Sequence, residues 1–134
     1  MDNVEKNKLE MLAKKTWAVV GVTPVPEKFG YKIFNKLKSH NYEVYGVNPK
    51  YDEVEGERLY KSLKELPLIP ECVNMVVNPK VTLSMLDEIH SLGIKYVWFQ
   101  PGTFDEAVID KAEEYGFNYV YYDCVLVALD SKES

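Results

Sequence analysis

The sequence predicts an α/β domain in three layers, a doubly wound parallel sheet of five strands with helices on both faces, and three observations carry that prediction. An amphipathic stretch, a Gly or Asn and then a short apolar run recur three times along the chain. The amphipathic stretches space their apolar residues by three and four, which places them on one helical face. The runs that follow are β-branched and aromatic and too short for helices. Strands alternating with helices need crossover connections, hence parallel pairing and right-handed βαβ units.

Taken in order, residues 4–14 read as an extra helix against one edge of the sheet, within an N-terminal extension (1–15) of a single domain over 1–134. Residues 17–22, Trp-Ala-Val-Val-Gly-Val, are the first strand. A helix beginning near Gly30 shows its apolar face at Ile33, Phe34 and Leu37, and Asn41 ends it before the second strand, Tyr42 to Val47. Ser62 to Leu66, cut off by Pro67 and Pro70, reads as a short helix or turn, and Cys72 to Val77 is the third strand. Asn78 offers an N-cap and Pro79 a first helical residue whose missing N–H costs nothing. That helix carries Leu86, Ile89 and Leu92 and stops at Gly93, before the fourth strand, Ile94 to Phe99. Thr103 and Glu106 have the spacing of a capping box for the next helix, which ends at Gly116 before the fifth strand, Phe117 to Tyr122. The expected strand order is 3-2-1-4-5, a Rossmann-like arrangement.

Composition narrows the function. A net charge of −5 and a pI near 5.1 exclude a nucleic-acid footprint of clustered Lys and Arg. With Arg58 the only arginine, an anion has to be held by lysines and backbone amides. No apolar run is long enough for a membrane span, and the N-terminus lacks the apolar core of a signal peptide, so the protein is expected to be soluble and cytoplasmic. Cys72 and Cys124 are too few for a disulfide framework, and with His40 and His90 they lack metal-ligand spacing, so no metal is expected.

In doubly wound sheets ligands bind outside the carboxyl ends of the strands. Four segments converge there: 21–31, 47–51, 77–80 and 100–103. The first reads Gly21-Val22-Thr23-Pro24-Val25-Pro26-Glu27-Lys28-Phe29-Gly30-Tyr31. Gly21 permits a sharp turn, the helix that follows aims free N–H groups at the crevice, and Lys28 adds a full charge, which makes an anion seat. This is not the G-x-G-x-x-G fingerprint of dinucleotide enzymes. An NAD-binding domain wants an acid at the end of its second strand to hold the ribose hydroxyls. Here stand Asn48, Pro49 and Lys50, which favour a phosphorylated ribose, as in coenzyme A or NADP, although Asp52 and Glu53 follow closely.

The stretches Ala18–Lys28, Tyr45–Tyr51 and Val54–Glu57, the pair Asn78-Pro79, and Val97–Gly102 together resemble the stand-alone coenzyme A-binding domain proteins, which are similar to the N-terminal domain of the succinyl-CoA synthetase alpha subunit. The resemblance covers residues 16–127. It implies that the first loop (Gly21, Val22, Thr23, Pro24, Lys28, Phe29, Gly30 and Tyr31) holds the phosphates, and that Asn48, Pro49 and Lys50 line the nucleotide. It also implies that Asn78, Pro79, Gln100, Pro101 and Gly102 flank the rest of a coenzyme A that is free or acylated. The chain departs from that pattern where Lys28 replaces an arginine, and where Tyr122-Asp123-Cys124 stands for Asp-Arg-Cys.

Catalysis is not expected. Succinyl-CoA synthetases use a phosphorylated histidine on a further domain, and this chain ends before one would begin. His40 and His90 fall toward helix ends remote from the crevice, so no Ser-His-Asp arrangement assembles. Cys124 follows the last strand and could meet the coenzyme's thiol end, but Asp123 beside it opposes a thiolate, and it reads chiefly as a small packed residue. Tyr119, Tyr121 and Tyr122 alternate along the last strand as a homodimer surface or a bed for the terminal segment. The leading expectation is a non-catalytic coenzyme A-binding module acting as carrier, sensor or partner enzyme subunit. An NAD(P)-binding domain, as oxidoreductase fragment or nucleotide sensor, is the alternative, and a structural module with an empty crevice is a further one.

Overall fold

A computed structural model describes residues 3–133. The sheet has seven strands: β1 (Thr16–Val20), β2 (Glu43–Val47), β3 (Glu53–Val54), β4 (Glu57–Tyr60), β5 (Cys72–Met75), β6 (Tyr96–Phe99) and β7 (Asn118–Val120), in the order β3-β4-β2-β1-β5-β6-β7. All neighbours pair in parallel except the β3–β4 hairpin. Five helices accompany them: α1 (Asn3–Leu12), α2 (Phe29–Ser39), α3 (Pro79–Ser91), α4 (Glu106–Tyr115) and α5 (Val125–Glu133), with a 3-10 turn at Leu63–Glu65.

The Rossmann-like doubly wound class holds, while the strand count and the place of one strand need correction. The Cys72 strand does not lie outside β2 but pairs with β1, Trp17 opposite Cys72 and Val20 opposite Met75. The place beyond β2 belongs to β4, with Gly46 opposite Leu59 and Val47 opposite Tyr60. Reading β4 as the third parallel strand restores 3-2-1 on that side. It is hard to see in sequence because Glu57 and Arg58 are exposed and Leu59 alone is buried. The last strand is also shorter than expected: after Val120 the chain leaves the sheet, and Tyr122 turns to φ 63° and is exposed.

Two cores follow from the pleat, because successive strand side chains face opposite ways. Trp17, Val19, Cys72, Trp98 and Val120 join Met11 of α1, Ile33, Phe34 and Leu37 of α2, and Val125 and Leu129 of α5. Ala18, Val20, Val73, Met75, Val97 and Phe99 join Leu86 and Ile89 of α3, and Val108 and Ala112 of α4. Helix α1 lies along the β7 edge, where Asn7 Nδ2 donates to the Tyr119 carbonyl at 3.1 Å and Lys8 Nζ reaches Asp123 at 3.0 Å. Lys36 of α2 meets Asp130 of α5 at 2.6 Å on the same face.

The helix boundaries match their signals, with one exception. Asn78 accepts from Val81 N at 2.9 Å and Pro79 opens α3. Asn41 (φ 69°) follows α2, and Gly116 (φ 71°) ends α4. The capping box at Thr103 does not form. Asp105 caps α4 instead, accepting from Val108 N at 3.0 Å, while Thr103 Oγ1 donates to the Gln100 carbonyl at 2.7 Å. A carboxylate is the stronger acceptor at a helix N-terminus, and it takes the cap. No described helix is long and apolar enough to cross a membrane.

Candidate functional site

Each parallel strand ends at the same edge, and the loops there are held in register by continued backbone bonds. Gly21 N donates to Val47 O at 2.8 Å, Val76 N to Val20 O at 2.8 Å and Asn48 N to Tyr60 O at 2.9 Å. Gly21 sits at φ 108°, and a Cβ there would meet the Val76 carbonyl oxygen at 2.7 Å. Gly30, in the first turn of α2, approaches so closely that a Cβ would lie 2.1 Å from the Gly21 carbonyl oxygen. The end of β1 and the start of α2 therefore touch backbone to backbone. No acidic residue stands in the first turn of α2, so its unsatisfied N–H groups keep their positive end open beside Lys28, its N-cap.

A cleft of about 760 Å³ opens at this edge on the α3 side of the sheet. Among the sequence-predicted residues it brings together Gly21, Thr23, Lys28, Asn48, Pro49, Lys50 and Asn78. It adds Lys61 and Ser62, which follow β4, the apolar residues Val20, Val47, Val76, Val77, Val81 and Met85, and Glu88 of α3. Three lysines thus face one concavity. Lys61 Nζ bonds Asp52 Oδ1 at 2.8 Å and Tyr51 O at 3.3 Å, and its ammonium holds the Asp52 carboxyl below the ordinary range. Sequence reasoning missed Lys61 and Ser62 because it missed β4, and missed Met85 and Glu88 because it stopped at the helix start.

Asn48, besides lining the cleft, fastens its loops together. Its Nδ2 donates to Val22 O at 2.9 Å and its Oδ1 accepts from Lys50 N at 2.9 Å, so the side chain staples the β1 loop to the β2 loop. Thr23 Oγ1 accepts from Val25 N at 3.2 Å and shapes the first loop locally.

The other predicted residues stand outside the cleft lining. Val22 is wholly buried in the α2-side core, and Gly30 is buried beneath the helix start. Pro24 and Phe29 are exposed, and Tyr31 donates its hydroxyl to Glu55 of the β3–β4 turn. Pro79 begins α3 behind Asn78. Gln100 is 3% exposed: its Oε1 accepts from Val125 N at 2.9 Å and its Nε2 donates to Cys124 Sγ at 3.2 Å, so it anchors the start of α5. Pro101 and Gly102 form an exposed turn after it. Cys124 is half-buried, whereas Cys72 is enclosed and burial pushes its thiol well above the ordinary value. His40 caps the far end of α2 and His90 lies in the last turn of α3, both at the opposite edge from the cleft mouth.

The family model for a CoA binding domain matches residues 15–130. The chain is 32% identical over 119 residues to the alpha subunit of an ADP-forming acetate–CoA ligase (II) of Pyrococcus furiosus, covering 81% of this chain and 26% of that subunit. It spans between 12% and 26% of the length of the acetate–CoA ligases it matches. The uncharacterized protein YneT of Bacillus subtilis is 25% identical and covered over 96% of both chains. Among solved structures, a hypothetical protein from Pyrococcus horikoshii OT3 superposes with a TM-score of 0.89 at 32% identity, covering 100% of this chain and 94% of that one.

Proposed function

The chain belongs to the CoA-binding domain family, and on that premise we propose that it holds coenzyme A, free or acylated, in the cleft at the carboxyl edge of its sheet. It acts there as a single-domain, non-catalytic module in the cytoplasm, a carrier, sensor or partner subunit for an enzyme. The observation that carries this reading is the convergence of Lys28, Lys50 and Lys61 on a cleft with an apolar wall. Coenzyme A combines a pyrophosphate, a ribose phosphate and a flat base, and the lysines suit the anionic groups as the apolar wall suits the base.

In this reading the open N-terminus of α2 and Lys28 take the pyrophosphate, since oriented N–H groups and a cation together favour a dense negative charge. Lys50 and Lys61 take the ribose 3′-phosphate from the loops after β2 and β4. Val47, Val81 and Met85 cover apolar surface of the ligand. Neither histidine belongs to the lining, since both lie at the opposite edge of the sheet. A role as partner subunit is supported by the likeness to a ligase alpha subunit, of which this chain spans 26%.

The test is thermal unfolding with saturating coenzyme A, 3′-dephospho-coenzyme A, acetyl-CoA, NAD and NADP. A ligand at about 100 times its Kd adds about 2.7 kcal/mol, which raises the midpoint of a domain this size by several degrees. The expected result is a shift with coenzyme A that shrinks for the dephospho form. A shift with NAD or NADP alone overturns the reading.

A further inference from the structure

Glu88 stands out in the cleft. It is the acidic residue among those that line it, and the surrounding wall is apolar: Val81 and Met85 on α3, Val47 and Val77 from the strand ends. Its Oε1 is closed off from solvent and has no hydrogen-bond partner among the described residues. A shielded acceptor without a donor is unfavourable in a folded protein unless something else supplies the donor. Residues 81, 85 and 88 fall on one face of α3, so the carboxyl continues the apolar wall that the ligand would pass along.

Helix α3 runs back from the mouth, and Glu88 lies nine residues beyond Pro79, about 14 Å down the helix at 1.5 Å per residue. The lysines follow strand ends or open α2, at the mouth. A ligand whose anionic groups meet the lysines therefore sends an uncharged part toward Glu88. That part must be flat or apolar enough for the valines and Met85, and it must carry an N–H donor.

Resting on the coenzyme A reading, we propose that Glu88 is a specificity-determining residue that accepts a hydrogen bond from the exocyclic 6-amino group of the adenine ring. A base seated against Val47, Val81 and Met85 would present its amine to this carboxyl, which lines the same cleft. The cleft thus selects a base that bears an amine, while the lysines select the phosphates. A site built to receive a hydrogen bond rejects an analogue that lacks the donor far more strongly than an apolar slot does.

The experiment is calorimetric titration of the full chain, wild type and Glu88→Leu, with coenzyme A, adenosine 3′,5′-bisphosphate, its purine analogue lacking the 6-amino group, and 4′-phosphopantetheine. The wild type is expected to favour the amine-bearing bisphosphate by at least about tenfold. Glu88→Leu is expected to reduce that preference to near unity, with little change in affinity for the deaminated analogue. Equal affinity of the wild type for the two bisphosphates overturns the assignment without recourse to any variant. A preference retained in Glu88→Leu also overturns it, as does a loss confined to 4′-phosphopantetheine, which would put the pantetheine amides at Glu88 instead. In each of these cases wild-type binding of coenzyme A leaves the parent reading standing. Failure of the wild type to bind coenzyme A overturns both.

Discussion

Single residues divide the labour at the cleft, and charge is the simplest to test. Lys28 and Lys50 both line it, but only one of them is assigned to a phosphate that every coenzyme A derivative carries. Lys50→Glu is expected to weaken coenzyme A more than 3′-dephospho-coenzyme A, by about tenfold or more, because it sets a like charge against the 3′-phosphate. Lys28→Ala is expected to weaken both equally. Titration of the two ligands against each variant decides it, and equal losses with Lys50→Glu would remove that lysine from the 3′-phosphate. These two lysines could be read from sequence because each follows a recognisable strand on a loop that must reach the crevice. Lys61 could not, since it follows a strand whose Glu57 and Arg58 face solvent. The task of Asn48 was equally hidden: its partner Val22 lies 26 positions away and is brought near only by β1–β2 pairing.

Among the elements, the three helices that open the recurring units were legible, because caps and periodicity are local. Asn78 and Gly116 act where local chemistry places them, whereas Thr103 lost the cap of α4 to Asp105 two positions on. Strand order was less legible, since pairing is a contest between distant segments that no local signal reports. One such pairing, β1 with β5, is fastened by Glu71 at the amino end of the sheet. Its Oε1 accepts from Lys15 N at 3.0 Å, Thr16 N at 3.1 Å and Thr16 Oγ1 at 3.1 Å, tying the start of β1 to the start of β5. The Lys15 and Thr16 backbone N–H bonds hold its carboxyl below the ordinary value of 4.5. A depressed carboxyl stabilises the folded chain fully above its unfolded pKa, and that contribution fades as pH falls through the lower folded value. Glu71→Gln is therefore expected to be less stable at pH 7 and to lose less stability than the wild type below about pH 4.5. Urea unfolding of both proteins at pH 7, 4.5 and 3 measures this, and parallel pH profiles would contradict it.

For the molecule as a whole, an acidic protein of net charge −5 is proposed to bind a polyanion. Long-range repulsion opposes approach, and the three lysines must outweigh it at short range. Salt screens the long-range repulsion more than the close lysine contacts, so the part played by a lysine shows in the difference between wild type and a lysine variant. As salt rises from about 50 to about 500 mM, coenzyme A affinity is therefore expected to shift in the weakening direction more in the wild type than in Lys61→Ala, which titration of both proteins measures. The same salt dependence in both proteins would mean that Lys61 does not face a phosphate.

The contact between Gly30 and the Gly21 carbonyl has a consequence for how such a protein changes over time. It welds the two ends of the intervening loop to the rigid frame, with Asn48 adding a second fastening at Val22. Between those fixed points Pro24, Val25, Pro26 and Glu27 are exposed. Side chains there can be exchanged without displacing the seat at either end, so the tolerance of this stretch to substitution and its freedom to acquire new contacts come from the same two anchors.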